Sequence, residues 1–329
     1  KAVMGNIQTF GIAGAGVIGA GWAARALAGG LHVLAWDPDR DAGQWLRETV
    51  DNAWPVMEKI GLHPGASLNH LHIAESLETM AASADFIQES APERLELKTE
   101  LHRRIDHIAD PAVVIASSTS GLLPSEFQSG CLHPERILVG HPFNPVYLLP
   151  LVEVVAGERT AEASIDRAIQ IYVDLGMHPL RVRKEVPGFL SDRLQEALWR
   201  EALHLVNDGV ATPEELDVAI SFGPGLRWAL WGTCLIFHLA GGQGGMRHML
   251  DHFNPSLFPW SHLEPPLVTE ELVDQMARGC EEQVGRRTLR EMERTRDEAL
   301  VAILKALQER DIGAGRTMNE RHTVISKAS

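Results

Sequence analysis

The segment Gly14-Ala-Gly-Val-Ile-Gly19 constrains the fold more than any other stretch, because three glycines at that spacing suit a strand-to-helix turn and little else. Before it, residues 7–12 read as a short strand. After it, residues 20–27 have the alanine-rich character of a helix. Gly14 permits the tight turn, Gly16 lets backbone approach a pyrophosphate, and Gly19 lets the helix lie close on the strand. Val17 and Ile18 open the helix, whose unpaired N–H groups and partial positive charge suit phosphates. A second strand, residues 31–36, ends at Asp37, eighteen residues past Gly19. A carboxylate there accepts hydrogen bonds from both hydroxyls of an adenosine ribose and repels a 2′-phosphate. The expected cofactor is therefore NAD rather than NADP.

The alternation continues. Strands are expected at residues 84–89, 112–116, 137–140, 152–155 and 179–183, with helices over 94–108 and 161–175. This predicts an α/β fold, a Rossmann-type doubly wound sheet, over residues 1–186. Ligands bind outside the carboxyl ends of such strands, so the glycine turn, Ser117-Ser-Thr-Ser-Gly121 and His141 should share one crevice. Past Pro187-Gly188, a credible hinge, the pattern turns to helical periodicity at 189–208, 213–222, 228–239 and 281–309. A second, all-α domain is expected over 187–329, for substrate binding and for forming a homodimer through a shared apolar face.

Composition limits the partners. The 329 residues carry a formal net charge of −14, which argues against nucleic-acid or anionic-membrane surfaces, and no run reaches the roughly 20 apolar residues of a membrane span. Cys131, Cys234 and Cys280 are odd in number and contain no CxxC pair. They read as reduced thiols rather than a disulfide frame or zinc site, so no metal is expected. With no signal-peptide block at the start, the expected setting is cytoplasmic.

Within His141-Pro-Phe-Asn-Pro145 and Leu151-Val-Glu-Val-Val155, a histidine and an acid stand twelve residues apart. A neutral imidazole can take a hydroxyl proton near pH 7 while a carboxylate holds its other nitrogen. Glu153 sits in a run with the composition of a buried strand, where an unpaired carboxylate would cost several kcal/mol, so it needs a partner.

The glycine fingerprint, Ser118-Thr-Ser120, the paired segments at 141–145 and 151–155, and Pro187-Gly-Phe-Leu-Ser-Asp-Arg-Leu194 together resemble the 3-hydroxyacyl-CoA dehydrogenase family over nearly the whole chain. The resemblance implies His141 as general base toward a 3-hydroxyl and Glu153 as the residue that orients it. It puts the substrate-binding serine at Ser120 and the asparagine at Asn144, both suited to hold a developing alkoxide. Glu93 and Lys98 match positions near the nicotinamide ribose; the competing reading is two solvated ends of one helix.

Two departures narrow the substrate. The family usually has asparagine where this chain has Asp192, and an ionised aspartate attracts a cation. Residues 38–68 hold only Arg40, Arg47 and Lys59 against five acids, unlike the lysine-rich hairpin of the acyl-CoA members. The substrate should be small and free of CoA. Residues 223–248 resemble the members that act on L-carnitine, a 3-hydroxy acid with a quaternary ammonium. Trp228 and Trp231, expected on one helix, with Phe143 and Phe253 could line an aromatic cage; the alternative is core or dimer packing. Arg227 fits the substrate carboxylate, or else an ordinary salt bridge. The expected reaction is NAD-dependent oxidation of L-carnitine at C3. The alternatives are another small 3-hydroxy acid, L-gulonate or 3-hydroxybutyrate, and a non-catalytic crystallin-like NAD-binding protein.

Overall fold

The computed structural model describes residues 7–252, 261, 262, 264 and 267–320. One compact unit comprises residues 7–192 with 297–320, and a second comprises 193–296. The first is built on eight strands: β1 (Thr9–Ala13), β2 (His32–Trp36), β3 (Leu71–Ile73), β4 (Phe86–Glu89), β5 (Val114–Ser117), β6 (Ile137–Pro142), β7 (Leu151–Ala156) and β8 (His178–Val182). They lie in the order β3-β2-β1-β4-β5-β6-β7-β8. Every neighbouring pair is parallel except β6 and β7. The winding reverses between β1 and β4, and the glycine turn leaves β1 at that switch point. The three-residue β3 is absent from the sequence expectation, being too short to show a period.

Six helices accompany the sheet: α1 (Val17–Ala28), α2 (Ala42–Ile60), α3 (Leu77–Ser83), α4 (Leu95–Ile108), α5 (Pro124–Phe127) and α6 (Glu162–Asp174). Trp22 of α1, Leu46 of α2 and Tyr172 of α6 join Phe10, Ile12 and Val114 in one core. Met80 of α3, Ile105 of α4 and Phe127 of α5 join Ala13, Ile115 and Val139 in another. Neighbouring residues of one strand thus enter opposite cores, which is why these strands read as continuous apolar runs.

Among the described residues seven helices follow: α7 (Ser191–Asn207), α8 (Pro213–Ser221), α9 (Pro224–Trp228), α10 (Thr233–Ala240), α11 (Gly245–His252), α12 (Glu270–Val284) and α13 (Leu289–Glu309). The single helix expected over 228–239 is two. Gly232 is extended, with φ −67° and ψ 170°, and starts α10 afresh, so Trp228 and Trp231 do not share a helix. The stretch 281–309 is likewise split, after α12, by Gly285 at φ +63°. Val301 and Leu304 of α13, with Met318, pack against Val56, Met57 and Leu148 in a third core. Residues 297–320 therefore belong with the sheet unit, whereas the sequence pattern groups all of 187–329 together. Among the described residues no helix is long and apolar enough to cross a membrane.

Candidate active site

The glycine turn has the properties each position requires. Gly14 adopts φ +105°, and its N–H donates to the Trp36 carbonyl at 2.8 Å. A methyl group on Gly19 would drive into the carbonyl of Gly14, so helix and turn can approach this closely only without one. At Gly16 a Cβ would meet nothing within 4 Å, and no side chain caps α1 there. Open space beside free helix N–H groups is what a pyrophosphate fits. Asp37 accepts from Ala15 N–H at 2.7 Å through Oδ2 and from Asp39 N–H at 2.9 Å through Oδ1, tying the end of β2 to the turn. A cleft lined by Ala15, Trp36, Asp37, Arg40, Ile73 and Glu75 opens beside it. These residues fit an adenosine and its phosphates.

His141 and Glu153 are directly opposed residues in the antiparallel β6–β7 pair, so their side chains share one face of the sheet. His141 Nδ1 lies 2.9 Å from Glu153 Oε2, with both residues buried. The other carboxylate oxygen accepts from the N–H groups of Leu190, at 3.1 Å, and Ser191, at 3.0 Å, where α7 begins. The chain reaches that point through two left-handed residues, Gly188 at φ +71° and Phe189 at φ +45°. Such a conformation costs a non-glycine residue about 1–3 kcal/mol; burial of the Phe189 ring offsets it. Burial pushes the Glu153 carboxyl up, but the hydrogen bonds from His141 and Ser191 outweigh it and hold the group below its ordinary value of 4.5. An ionised Glu153 can only accept, so the His141 hydrogen sits on Nδ1 and the Nε2 lone pair is left for a substrate.

Asp192 Oδ2 lies 3.6 Å from that Nε2. Burial raises the Asp192 carboxyl above its ordinary 3.8, His141 opposes this, and Glu153 and Glu93 add to it. The Phe143 ring stands edge-on to His141 with centroids 4.6 Å apart. Asn144 is exposed in the β6–β7 connection.

Ser120, exposed beyond the end of β5, donates to Glu93 Oε1 from its N–H at 3.1 Å and its hydroxyl at 3.5 Å. Thr119 Oγ1 and Gly121 N–H donate to the same oxygen, at 2.5 and 3.2 Å. Lys98 is not a solvated helix end: it is buried, pairs with Glu89 at 2.8 Å and lies 3.7 Å from Glu93. Glu89 also accepts from Ser117 Oγ at 2.5 Å. Ser117 and Thr119 were expected here only as part of the 117–121 cluster, and Glu89 was not singled out from the sequence. A carboxylate closing the apolar strand β4 was the available signal.

Arg227, Trp228 and Trp231 stand in the second unit: Arg227 and Trp231 are exposed and Trp228 half-buried. Phe253 lies outside the described residues.

A doubly wound sheet with a phosphate-fitting glycine turn at its switch point and a buried His–Glu pair at the same edge defines an NAD-dependent oxidoreductase. The family model "3-hydroxyacyl-CoA dehydrogenase, NAD binding domain" matches residues 9–186, and that for the C-terminal domain matches 188–287. The chain belongs to the 3-hydroxyacyl-CoA dehydrogenase family. It is 60% identical over 305 residues to an L-carnitine dehydrogenase of Pseudomonas aeruginosa, covering 92% of this chain and 95% of that one. With an L-carnitine dehydrogenase of a Pseudomonas species it shares 57% over 316 residues, covering 96% and 98%. Among solved structures, a 5-formyl-3-hydroxy-2-methylpyridine 4-carboxylic acid 5-dehydrogenase superposes with TM-score 0.80 at 28% identity, covering 92% and 99%. The (S)-3-hydroxybutyryl-CoA dehydrogenase of Ralstonia eutropha gives 0.63 at 26%, covering 83% and 95%.

Proposed function

We propose that the chain oxidises the 3-hydroxyl of L-carnitine to a ketone, giving 3-dehydrocarnitine, with NAD as hydride acceptor. The observation that carries this reading is the Asp192 carboxylate beside His141 Nε2, in a chain whose curated relatives are L-carnitine dehydrogenases. Bound NAD supplies the hydride acceptor at its nicotinamide. His141 takes the hydroxyl proton on Nε2 as C3 loses its hydride, and Glu153 holds Nδ1–H and stabilises the imidazolium. Ser120 and Asn144 hold the oxygen as its charge develops. Glu93 keeps the Ser120 loop in place, and Lys98 helps to orient Glu93.

Carnitine's chemistry explains the aspartate. Its quaternary nitrogen is two bonds from C3, so a hydroxyl seated on His141 brings the cation within a few ångströms of the ring. An imidazolium forming beside a fixed cation is disfavoured, and a carboxylate at the same place offsets that repulsion. Phe143, edge-on to His141, is proposed to stabilise the trimethylammonium. A homodimer is proposed because Leu194, Leu198 and Trp199 of α7 are all at least half exposed. Dependence on NAD supports a cytoplasmic setting.

NADH formation by the purified protein with L-carnitine, L-gulonate and 3-hydroxybutyrate tests the reading. The expected order puts carnitine first in kcat/KM; a higher value for either uncharged-headgroup acid overturns it. The crystallin-like reading finds no support in a site whose dyad is intact.

A further inference from the structure

Within the second unit, His204 and Asp208, four residues apart on α7, meet His262 so that one donor atom from each lies within 4.8 Å of the others. We propose that this cluster is a binding site for a divalent transition cation of the zinc class, with His204, Asp208 and His262 as its protein ligands. The rings of His204 and His262 stack with centroids 3.9 Å apart and planes 15° from parallel, so they are immediate neighbours, and one ring must turn out of the stack for both to hold a single cation in their ring planes.

The surroundings of the two rings point to a ligand. His204 Nε2 lies 2.7 Å from the Glu264 carbonyl oxygen, and His262 Nδ1 lies 3.1 Å from Glu201 Oε2. That carboxylate oxygen also accepts from the His262 backbone N–H at 2.7 Å. A carbonyl and an ionised carboxylate can only accept, so each ring carries its hydrogen on the nitrogen facing that partner. The lone pairs are then on His204 Nδ1 and His262 Nε2. One imidazole held by a carboxylate and one held by a backbone carbonyl is the outer arrangement that metal-bound histidines use to set tautomer and basicity. Asp208 accepts from Asn207 Nδ2 at 3.2 Å through Oδ1.

Size and donor type favour zinc over calcium or magnesium. A tetrahedral cation with bonds of about 2.0–2.1 Å needs donors roughly 3.4 Å apart, so the side chains close on it by turning about their own bonds. Two imidazoles and one carboxylate suit zinc, cobalt or nickel, whereas the harder cations want oxygen alone. Asp208 and His262 are exposed, so a water completes the fourth position. The cation would clip α7 to His262, and none of its ligands takes part in the proposed dehydrogenase chemistry.

Equilibrium dialysis of metal-free full-length protein against Zn²⁺, with Co²⁺ absorbance reporting the ligand field, tests the site. The expectation is a Zn²⁺ ion per chain that is lost in the His204→Ala/His262→Ala variant, with binding about 10–100-fold weaker in Glu201→Gln. Zn²⁺ should raise the melting temperature of the wild type and not of Asp208→Asn. NADH formation should be the same in wild type and Glu201→Gln, which separates failure of this site from failure of the proposed activity. Absence of Zn²⁺ binding by the wild type overturns the proposal. Should the double variant not fold, wild-type affinity in both Asp208→Asn and Glu201→Gln overturns it equally.

Discussion

Asp192 Oδ2 lies 3.6 Å from Nε2 of His141, across the ring from the 2.9 Å contact between Nδ1 and Glu153. The imidazole therefore has a carboxylate at each nitrogen. One of them, Glu153, is buried and hydrogen-bonded in a way that favours its charge; the other, Asp192, is held by burial in a place that disfavours it. A cationic substrate would lower that cost by setting a positive charge beside the carboxylate.

Asp192→Asn should accordingly raise KM for L-carnitine more than for an uncharged 3-hydroxy acid. A partly exposed charge pair is worth about 1 kcal/mol, so the difference should be about five- to tenfold. Steady-state kinetics with both substrates measure it, and equal losses would remove the charge argument.

The same substitution should stabilise the free protein at neutral pH. A carboxyl whose folded value is raised contributes stability that is complete below its unfolded value of 3.8 and is lost as pH rises through the folded value. At pH 7 Asp192 is thus a cost that asparagine does not carry. Melting curves should show Asp192→Asn above wild type at pH 7, with the gap closing as pH is lowered toward 4.

Glu153 has the opposite sign. Its depressed value means that its contribution is complete above 4.5 and is lost as pH falls through the folded value. Glu153→Gln should flatten the acid side of the stability profile, because an amide cannot accept from Leu190, Ser191 and His141 at once. Turnover should fall without loss of NAD affinity, by less than the 10²- to 10⁴-fold expected for His141→Ala. NAD titration by fluorescence separates the two effects; weakened cofactor binding in Glu153→Gln would assign the residue a different role.

What was legible in the sequence depended on how local each determinant is. Gly14, Gly16 and Gly19 act through their own backbone, and His141 and Glu153 are brought together by one strand connection, so spacing, read with the flanking elements and the family resemblance, pointed to both. Lys98 was ambiguous because a helix with charges at its start looks the same whether that start faces water or, as here, the end of β4. The break before α10 rests on the conformation of Gly232, which a periodic run of apolar residues conceals. The return of 297–320 to the sheet unit rests on contacts with residues more than 240 positions earlier, such as Val301 with the cluster around Met57. No periodicity carries that information.

The Glu89–Lys98 pair should behave as a unit. Both side chains are almost fully buried, and Lys98 also donates to the Ala91 carbonyl at 3.0 Å while Glu89 accepts from Ala91 N–H and Ser117. Removing one partner leaves the other charge buried and uncompensated, which costs about 3–5 kcal/mol, whereas removing both leaves no such charge. Lys98→Met should therefore destabilise strongly, and Lys98→Met with Glu89→Gln should cost less than the two single losses added together. Denaturant unfolding of the four proteins in the cycle measures the coupling. Lys98→Met should also weaken substrate use beyond its effect on folding, because Glu93 loses the ammonium 3.7 Å away and with it part of what orients the Ser120 loop. Additive stabilities, or a folded Lys98→Met protein with wild-type kcat/KM, would show that the pair supports neither the strand end nor the loop.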